Sequence, residues 1–326
     1  MKGLTTVFGG SGFVGAQVVR ALAKRGYRVR VAARQPGRAY RLRMLGDVGQ
    51  IDIVQANVRD DASVARALDG AETCVNLVAV LYETRRQTFE ALHVEGAARI
   101  ATTARVEGAT RLIHISALGA SADSSSAYAR TKAAGESAVR DAFPGAVVLR
   151  PSVIFGPGDA FFNRFATMAA SAPALPLIGG GQTRFQPVFV GDVAAAVAAA
   201  LADPASAGQT YELGGPEIYS FEALMRLTLA VIERRRLLAP IGFGLASRLG
   251  KLGDLIARSG FIAPPLTSDQ VELLRTDNVV SAGAIGLADL GVTPTPVEAV
   301  IPSYLYRFRK GGQYAEALQM AEPALR

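Results

Sequence analysis

Seven residues near the start constrain the fold of this chain more than any others. Gly9-Gly10-Ser11-Gly12-Phe13-Val14-Gly15 follows a short apolar stretch at 4–8 and opens a segment at 13–24, where Val14, Val18, Val19, Leu22 and Ala23 recur at helical spacing. Glycines at 9, 12 and 15 give the pattern G-x-x-G-x-x-G. Bare glycines at a strand-to-helix turn let backbone N–H groups reach an anion at the positive end of the helix, where the dipole contributes about 0.3–1 kcal/mol. The pattern predicts the pyrophosphate turn of a dinucleotide fold, with Gly9, Gly10, Ser11, Gly12, Phe13, Val14 and Gly15 as its contacts.

The same rhythm runs on to residue 150. Strands are expected at 28–32, 51–54, 73–78, 111–115 and 146–149, and helices at 61–68, 88–106 and 127–141. Strand alternating with helix implies parallel pairing, hence an α/β, Rossmann-type, doubly wound sheet over residues 1–150. Beyond Pro151 proline and glycine become frequent, and residues 151–326 are expected to form a smaller, less regular α+β cap. Helices are predicted there at 161–170, at 193–201 with Asp192 as N-cap, and at 221–234, with a strand at 210–213.

Composition closes several routes. Half the residues are hydrophobic and 19% are charged, enough apolar material for a sizeable core. Cys74 is the single cysteine, which excludes a disulfide framework; with only His93 and His114 besides, no metal site is expected. No apolar run reaches the roughly 18–20 residues that span a bilayer. Met1-Lys2-Gly3 leads straight into the first expected strand, so no signal peptide is read.

The formal charge of +7 invites an anionic partner. No basic patch interleaved with aromatics stands out, which disfavours nucleic acid and leaves an anionic membrane surface. Residues 226–258 are the candidate contact: seven basic residues stand there against two acids, and Leu245, Leu249, Leu252 and Ile256 recur at helical spacing around Arg248 and Lys251. Such a segment can lie among lipid headgroups, each basic side chain contributing about 1 kcal/mol. Gly242, Gly244, Gly250 and Gly253 count against a regular helix.

Arg34 follows the second expected strand, where NAD sites carry a carboxylate for the ribose 2′-hydroxyl, and Arg38 and Arg41 come next. A guanidinium grips a 2′-phosphate through paired hydrogen bonds, so NADPH is the expected cofactor. Asn57 and Val58 are expected to flank the adenine, and Leu77 and Ala79 the central ribose. Tyr128 and Lys132 stand at i and i+4, so phenol and ammonium share a helix face, and chance places such a pair well under once in a chain of this composition. An ammonium beside a phenol lowers its pKa from about 10, which would make Tyr128 a general acid or base.

The glycine triplet, the Tyr-x-x-x-Lys pair and Leu149-Arg150-Pro151-Ser152 resemble the extended short-chain dehydrogenase/reductase superfamily. The resemblance implies two hydroxyl residues at the end of the strand before the Tyr–Lys helix, the second polarising a substrate carbonyl. Here Ser116 fills the first position and Ala117 the second. Removing one oxyanion donor typically costs about 10²–10³ in rate, which argues against efficient reductase or epimerase chemistry unless Ser116 itself reaches the substrate.

Further stretches at 46–50, 124–128, 140–144, 154–163, 186–193 and 289–296 are similar to one branch, the dinucleotide-binding accessory subunit of respiratory complex I, the NADH:quinone oxidoreductase. That resemblance covers almost the whole chain. It implies a tightly held NADPH serving stability and assembly, with Gly9, Gly12, Gly15, Arg34, Ser116, Tyr128 and Lys132 as binding residues and Pro151 beside them. Partners would be other complex I subunits near the junction of the peripheral and membrane arms. The place would be the cytoplasmic face of a bacterial inner membrane, or the matrix face in a mitochondrion. The alternative is an active NADPH-dependent short-chain oxidoreductase or epimerase acting on a small carbonyl or hydroxyl substrate through Tyr128, Lys132 and Ser116; a redox-sensing NADP(H)-binding regulator is a third class. Ala117 and the basic amphipathic segment favour the accessory subunit.

Overall fold

The structure is a computed structural model that describes residues 2–260 and 263–312; the rest of the expected cap, 261–262 and 313–326, lies outside the described residues. The first half alternates as the apolar pattern predicts: β1 (Lys2–Phe8), α1 (Phe13–Lys24), β2 (Tyr27–Ala33), β3 (Ile51–Gln55), α2 (Asp61–Leu68), β4 (Thr73–Asn76), α3 (Gly96–Val106), β5 (Arg111–Ile115), α4 (Ala127–Ala142) and β6 (Val147–Pro151). Period-two alternation sends successive side chains to opposite faces of the sheet. Val7, Val31, Val75, Ile113 and Leu149 pack with Val18, Val19 and Leu22 of α1 on one face. Phe8, Cys74 and Leu112 pack with Leu68, Ile100 and Val139 of α2, α3 and α4 on the other.

The second half contains β7 (Ile154–Phe155), α5 (Phe162–Ser171), β8 (Ala174–Ile178), β9 (Arg184–Phe185), β10 (Val188–Phe189), α6 (Val190–Ala202), β11 (Thr210–Leu213), β12 (Tyr219–Ser220), α7 (Phe221–Val231), β13 (Leu237–Ile241), α8 (Phe243–Ser259) and α9 (Ser268–Leu273). Two of these elements leave the cap. β11 pairs in parallel with β6 and completes a seven-stranded sheet in the order β11-β6-β5-β4-β1-β2-β3. α6 adds Val193 and Val197 to the layer that holds α1. The chain thus enters the cap after β6 and returns to the sheet at 190–213, across the division at residue 150. β7, α5, β8, β9 and α7 share a third core rich in phenylalanine, built on Phe155, Phe162, Phe185 and Phe221, while α8 and α9 pack on the end of β8 through Ala246, Val271 and Ile178.

Several local expectations are corrected. The expected 88–106 helix begins with a π-helical stretch, Glu90–Glu95, before α3. Asp192 does not cap α6, which starts at Val190; its carboxylate instead accepts from the Thr295 amide (2.7 Å) and hydroxyl (2.9 Å) and ties down the C-terminal loop. The helix expected to reach residue 234 ends at Val231, before Glu233 takes a left-handed φ of 54°. Residues 226–258 therefore hold the end of α7, strand β13 and helix α8. α8 is regular despite its glycines: Gly242 stands outside it as the N-cap, Gly244 is exposed in its first turn, and Gly250 and Gly253 are buried on its inner face, where a Cβ on Gly250 would lie 2.7 Å from the Ser268 amide nitrogen.

Backbone meets backbone where α1 leaves β1. A Cβ at Gly15 would overlap the Gly9 carbonyl and stand 2.5 Å from the Gly10 Cα. Gly26, by contrast, has a positive φ of 81° but open space around it. Gly26→Ala is expected to cost about 1–2 kcal/mol from backbone strain alone, and Gly15→Ala about 3 kcal/mol or more from overlap with backbone that cannot yield. Urea unfolding midpoints of the two variants check the order.

Candidate functional site

At the end of β1 the chain turns through Gly9, whose φ of 77° is left-handed, and Gly12 becomes the N-cap of α1. A Cβ at Gly9 would lie 3.1 Å from the Leu77 carbonyl carbon, so this turn and the exit of β4 touch. No side chain caps α1 and no acid sits in its first turn. The helix therefore keeps N–H donors and its positive end for an anion, over a floor that only glycine leaves open. Ser11, Phe13 and Val14 are partly buried around the turn, and Phe13 reaches towards Gly158 of the cap.

Beyond β2 and β3 opens a cleft of about 630 Å³ lined by Arg34, Gln55, Asn57, Asp60, Ser63 and Arg66, among others. Arg34 is exposed and donates to Gln87 Oε1 (2.7 Å), and among the described residues it has no carboxylate partner. The one acid in the lining, Asp60, is committed elsewhere: it caps α2 by accepting from the Ser63 amide. The cleft thus presents two guanidiniums, Arg34 and Arg66, without a free carboxylate at the end of β2. Arg66 and Gln87 were not singled out in the sequence, where neither has a local motif. Arg38 and Arg41 are exposed on the following 3₁₀ turns and do not line the cleft, and Val58 is buried beneath Gly96 with its carbonyl taken by Arg99.

The Tyr–Lys helix brings the third group of residues together. Lys132 is 1% exposed and donates from Nζ to the Ile115 carbonyl (2.7 Å) at the end of β5. Its other two N–H donors have no acceptor among the described residues. Ser116 follows directly, 3% exposed, with Oγ buried and unpartnered. An orphaned hydroxyl and an ammonium with one of its three donors paired fit a bound polyhydroxyl ligand, which would supply the missing partners. Pro151, at the end of β6, accepts from the Leu118 amide (3.0 Å) and fixes the strand exit that carries Ser116 and Ala117. Ala79 is exposed on the loop after β4.

Electrostatics overturn the expected phenolate. Burial pushes the Tyr128 phenol up to about 12, and the nearby Asp269 carboxylate pushes it further the same way. Burial also pulls the Lys132 ammonium down to about 8, against the opposing field of Glu136. Loss of solvation outweighs attraction within the pair, so Tyr128 is a neutral donor at ordinary pH. Its ring packs edge-on against Phe89 and His93, at centroid distances of 5.8 and 5.4 Å. Burial lowers the His93 pKa to about 3, so the imidazole is neutral. Its Nε2 accepts from the Val80 amide (3.1 Å), which leaves Nδ1–H to donate to Thr131 Oγ1 (3.1 Å). His93 sits in the π-helical stretch, a common feature of functional sites.

One further residue reaches the site from the cap. Asp269 of α9 accepts from the Ala127 amide (2.6 Å), the Tyr128 amide (3.2 Å) and Ser126 Oγ (2.8 Å). On the opposite wall Gln270 Nε2 donates to the Leu81 carbonyl (3.4 Å). α9 therefore spans the mouth between α4 and the loop after β4. No group of His, Cys, Asp or Glu among the described residues could hold a metal ion.

A profile of the NAD dependent epimerase/dehydratase family matches residues 5–214. The chain is 36% identical over 318 residues to the mitochondrial NADH dehydrogenase (ubiquinone) 1 alpha subcomplex subunit 9 of Arabidopsis thaliana, covering 95% of this chain and 79% of the relative. It is likewise 36% identical to the subunit of that name in Mus musculus, over 98% of this chain and 84% of the relative. Among solved structures, a triphenylmethane reductase from Citrobacter sp. superposes with a TM-score of 0.74 at 17% identity, over 92% of this chain and 99% of that one, which speaks to the fold.

The buried ammonium gives the site a pH signature. Lys132 loses its proton near 8 in the folded chain and near 10.5 once unfolded, so between these values the unfolded state holds more protons and stability rises with pH. Lys132→Met removes that slope. The difference in urea midpoint between the two proteins should shift in favour of the wild type from pH 7.5 to 9.5; a constant difference would mean that the ammonium is not held down by burial.

Proposed function

The chain belongs to the NAD dependent epimerase/dehydratase family, on the branch of the alpha subcomplex subunits 9, and from that premise we propose that it is an NADPH-binding accessory subunit of a respiratory NADH:quinone oxidoreductase, complex I. The nucleotide serves stability and assembly rather than turnover. One observation carries the non-catalytic reading: Ala117 stands where the second hydroxyl would polarise a substrate carbonyl.

In this reading the pyrophosphate lies over the glycine turn, at the uncapped end of α1. Arg34, with Arg66 near it, meets the 2′-phosphate, and Asn57 lines the adenine side. Leu77 and Ala79 flank the central ribose, while Lys132 and Tyr128 donate to the hydroxyls of the nicotinamide ribose. Ser116 finds its partner on the nicotinamide side. When bound, the nicotinamide would supply a hydride-carrying ring; the protein's part is to orient and retain it.

Partners are the other complex I subunits near the junction of its two arms and, through residues 226–258, an anionic membrane surface. Leu245, Leu249, Leu252, Leu255 and Ile256 of α8 are all exposed, together with Arg248, Lys251 and Arg258. An apolar stripe edged by cations suits lipid headgroups. No helix among the described residues is long and apolar enough to cross a membrane, so attachment is peripheral in this reading, on the cytoplasmic face of a bacterial inner membrane. The alternative, an active NADPH-dependent oxidoreductase acting through Tyr128, Lys132 and Ser116, draws its support from the buried, unpartnered Ser116 hydroxyl, a donor for a carbonyl oxygen.

Arg34→Glu should weaken NADPH at least tenfold, and NADH far less, in a titration followed by nicotinamide fluorescence; equal losses for the two would remove the 2′-phosphate assignment. Solubilised membranes should yield the chain in the fraction with NADH:quinone reductase activity, and finding it elsewhere would remove the subunit assignment. Leu249→Glu with Leu252→Glu should release the isolated chain from anionic vesicles while its NADPH affinity in the absence of vesicles stays unchanged.

A further inference from the structure

We propose that Asp269 is a positioning residue that couples retention of the nucleotide to the outward face of α8; the inference rests on the nucleotide-binding reading above. A helix N-terminus leaves four N–H groups that need acceptors from outside the helix. At α4 the Ser126 amide donates to Ser124 Oγ (3.2 Å) and the Ala129 amide to Ser126 Oγ (3.2 Å). The two that remain, Ala127 and Tyr128, both donate to Asp269, which also accepts the Ser126 hydroxyl. Half of the cap of the Tyr–Lys helix therefore comes from a residue about 140 positions away in another part of the fold. The charge has the sign that the helix end favours.

Asp269 is in turn fixed to α8. α9 begins in a capping box between Thr267 and Gln270, and Ser268 donates from its amide (3.1 Å) and from its hydroxyl to the two oxygens of Asp254. α8 leaves no slack at this contact: a Cβ at Gly253 would overlap the Leu266 carbonyl, and one at Gly250 would lie 2.8 Å from the Ser268 Cα. A rotation or shift of α8 is passed to residues 266–269 and so to the acceptor that orders the first turn of α4. Tyr128 lies in that turn and Lys132 one turn further on. Glu272 adds a second tie, accepting from Ser125 Oγ (2.8 Å), while Gln270 holds the loop at Leu81.

Coupling of this kind is reciprocal. A nucleotide that immobilises Tyr128 and Lys132 holds α9 and α8 in place, and whatever seats on the leucine face of α8 slows loss of the nucleotide. The alternative state has α9 released and the Ala127 and Tyr128 amides exposed to water.

Hydrogen exchange and NADPH dissociation rates on the full chain test the coupling. In the wild type NADPH should slow exchange at 127–132 and also at 243–259. In Asp269→Ala dissociation should be about fivefold faster or more, the lower end of typical coupling, and the slowing at 243–259 should vanish; Asp269→Glu should restore part of both. Asp254→Ala, outside the nucleotide cleft, should abolish the protection of α8 while the chain still takes up NADPH, and it serves if Asp269→Ala fails to fold. Dissociation within twofold of wild type, or no protection of α8 in a wild-type chain that holds NADPH, would overturn the coupling alone. A wild-type chain that takes up no NADPH would overturn the nucleotide reading, and the coupling with it.

Discussion

The structure depends on a contact that no side chain may enter. α1 leaves the sheet so steeply that residue 15 rests on the backbone of residues 9 and 10, and any Cβ there would overlap it. That contact aims the helix axis at the space above β1 and β4 and sets the turn against Leu77. It also holds α1 in the layer that α6 completes. The arrangement is costly in backbone entropy, since three glycines lose more freedom on ordering than other residues would. It leaves the first turn of α1 without a capping side chain.

The beginnings of α1 and α4 are finished in opposite ways. α1 has no capping side chain and no acid in its first turn, while α4 has all four of its leading amides satisfied, two of them by a carboxylate from the cap. An open end invites a mobile anion; a closed end repels one. In the reading proposed above, the difference sorts the site into a part that would grip phosphate and a part held rigid to meet sugar hydroxyls. The raised phenol and the lowered ammonium follow from that second part being dry.

The first six strands and their helices were legible because each apolar run is short, bounded by turn residues and matched by a helix of clear periodicity. The glycine turn, Tyr128 and Lys132 were legible because their meaning lies in local spacing, and the structure sets Lys132 beside Ser116 through the Ile115 carbonyl. What the sequence hid is non-local. Nothing near 210–213 announces a partner at β6, since alternation gives strand and helix but not strand order. Asp269 is one acid among many until the fold sets it on α4. Spacing put Tyr128 and Lys132 on one face but could not weigh their attraction against burial, and there the expectation had the wrong sign.

The return of the chain at α6 and β11 has its own consequence for how the molecule is made. β6 is an interior strand of the finished sheet, yet its outer neighbour emerges some sixty residues later, after part of the cap has been threaded. Until then an emerging polypeptide carries a bare row of amides and carbonyls along β6, the kind of rim that other chains can add to. Synthesis order thus makes the last seam of the seven-stranded sheet wait on the second half of the protein. The sheet is therefore closed only by a strand made after part of the cap.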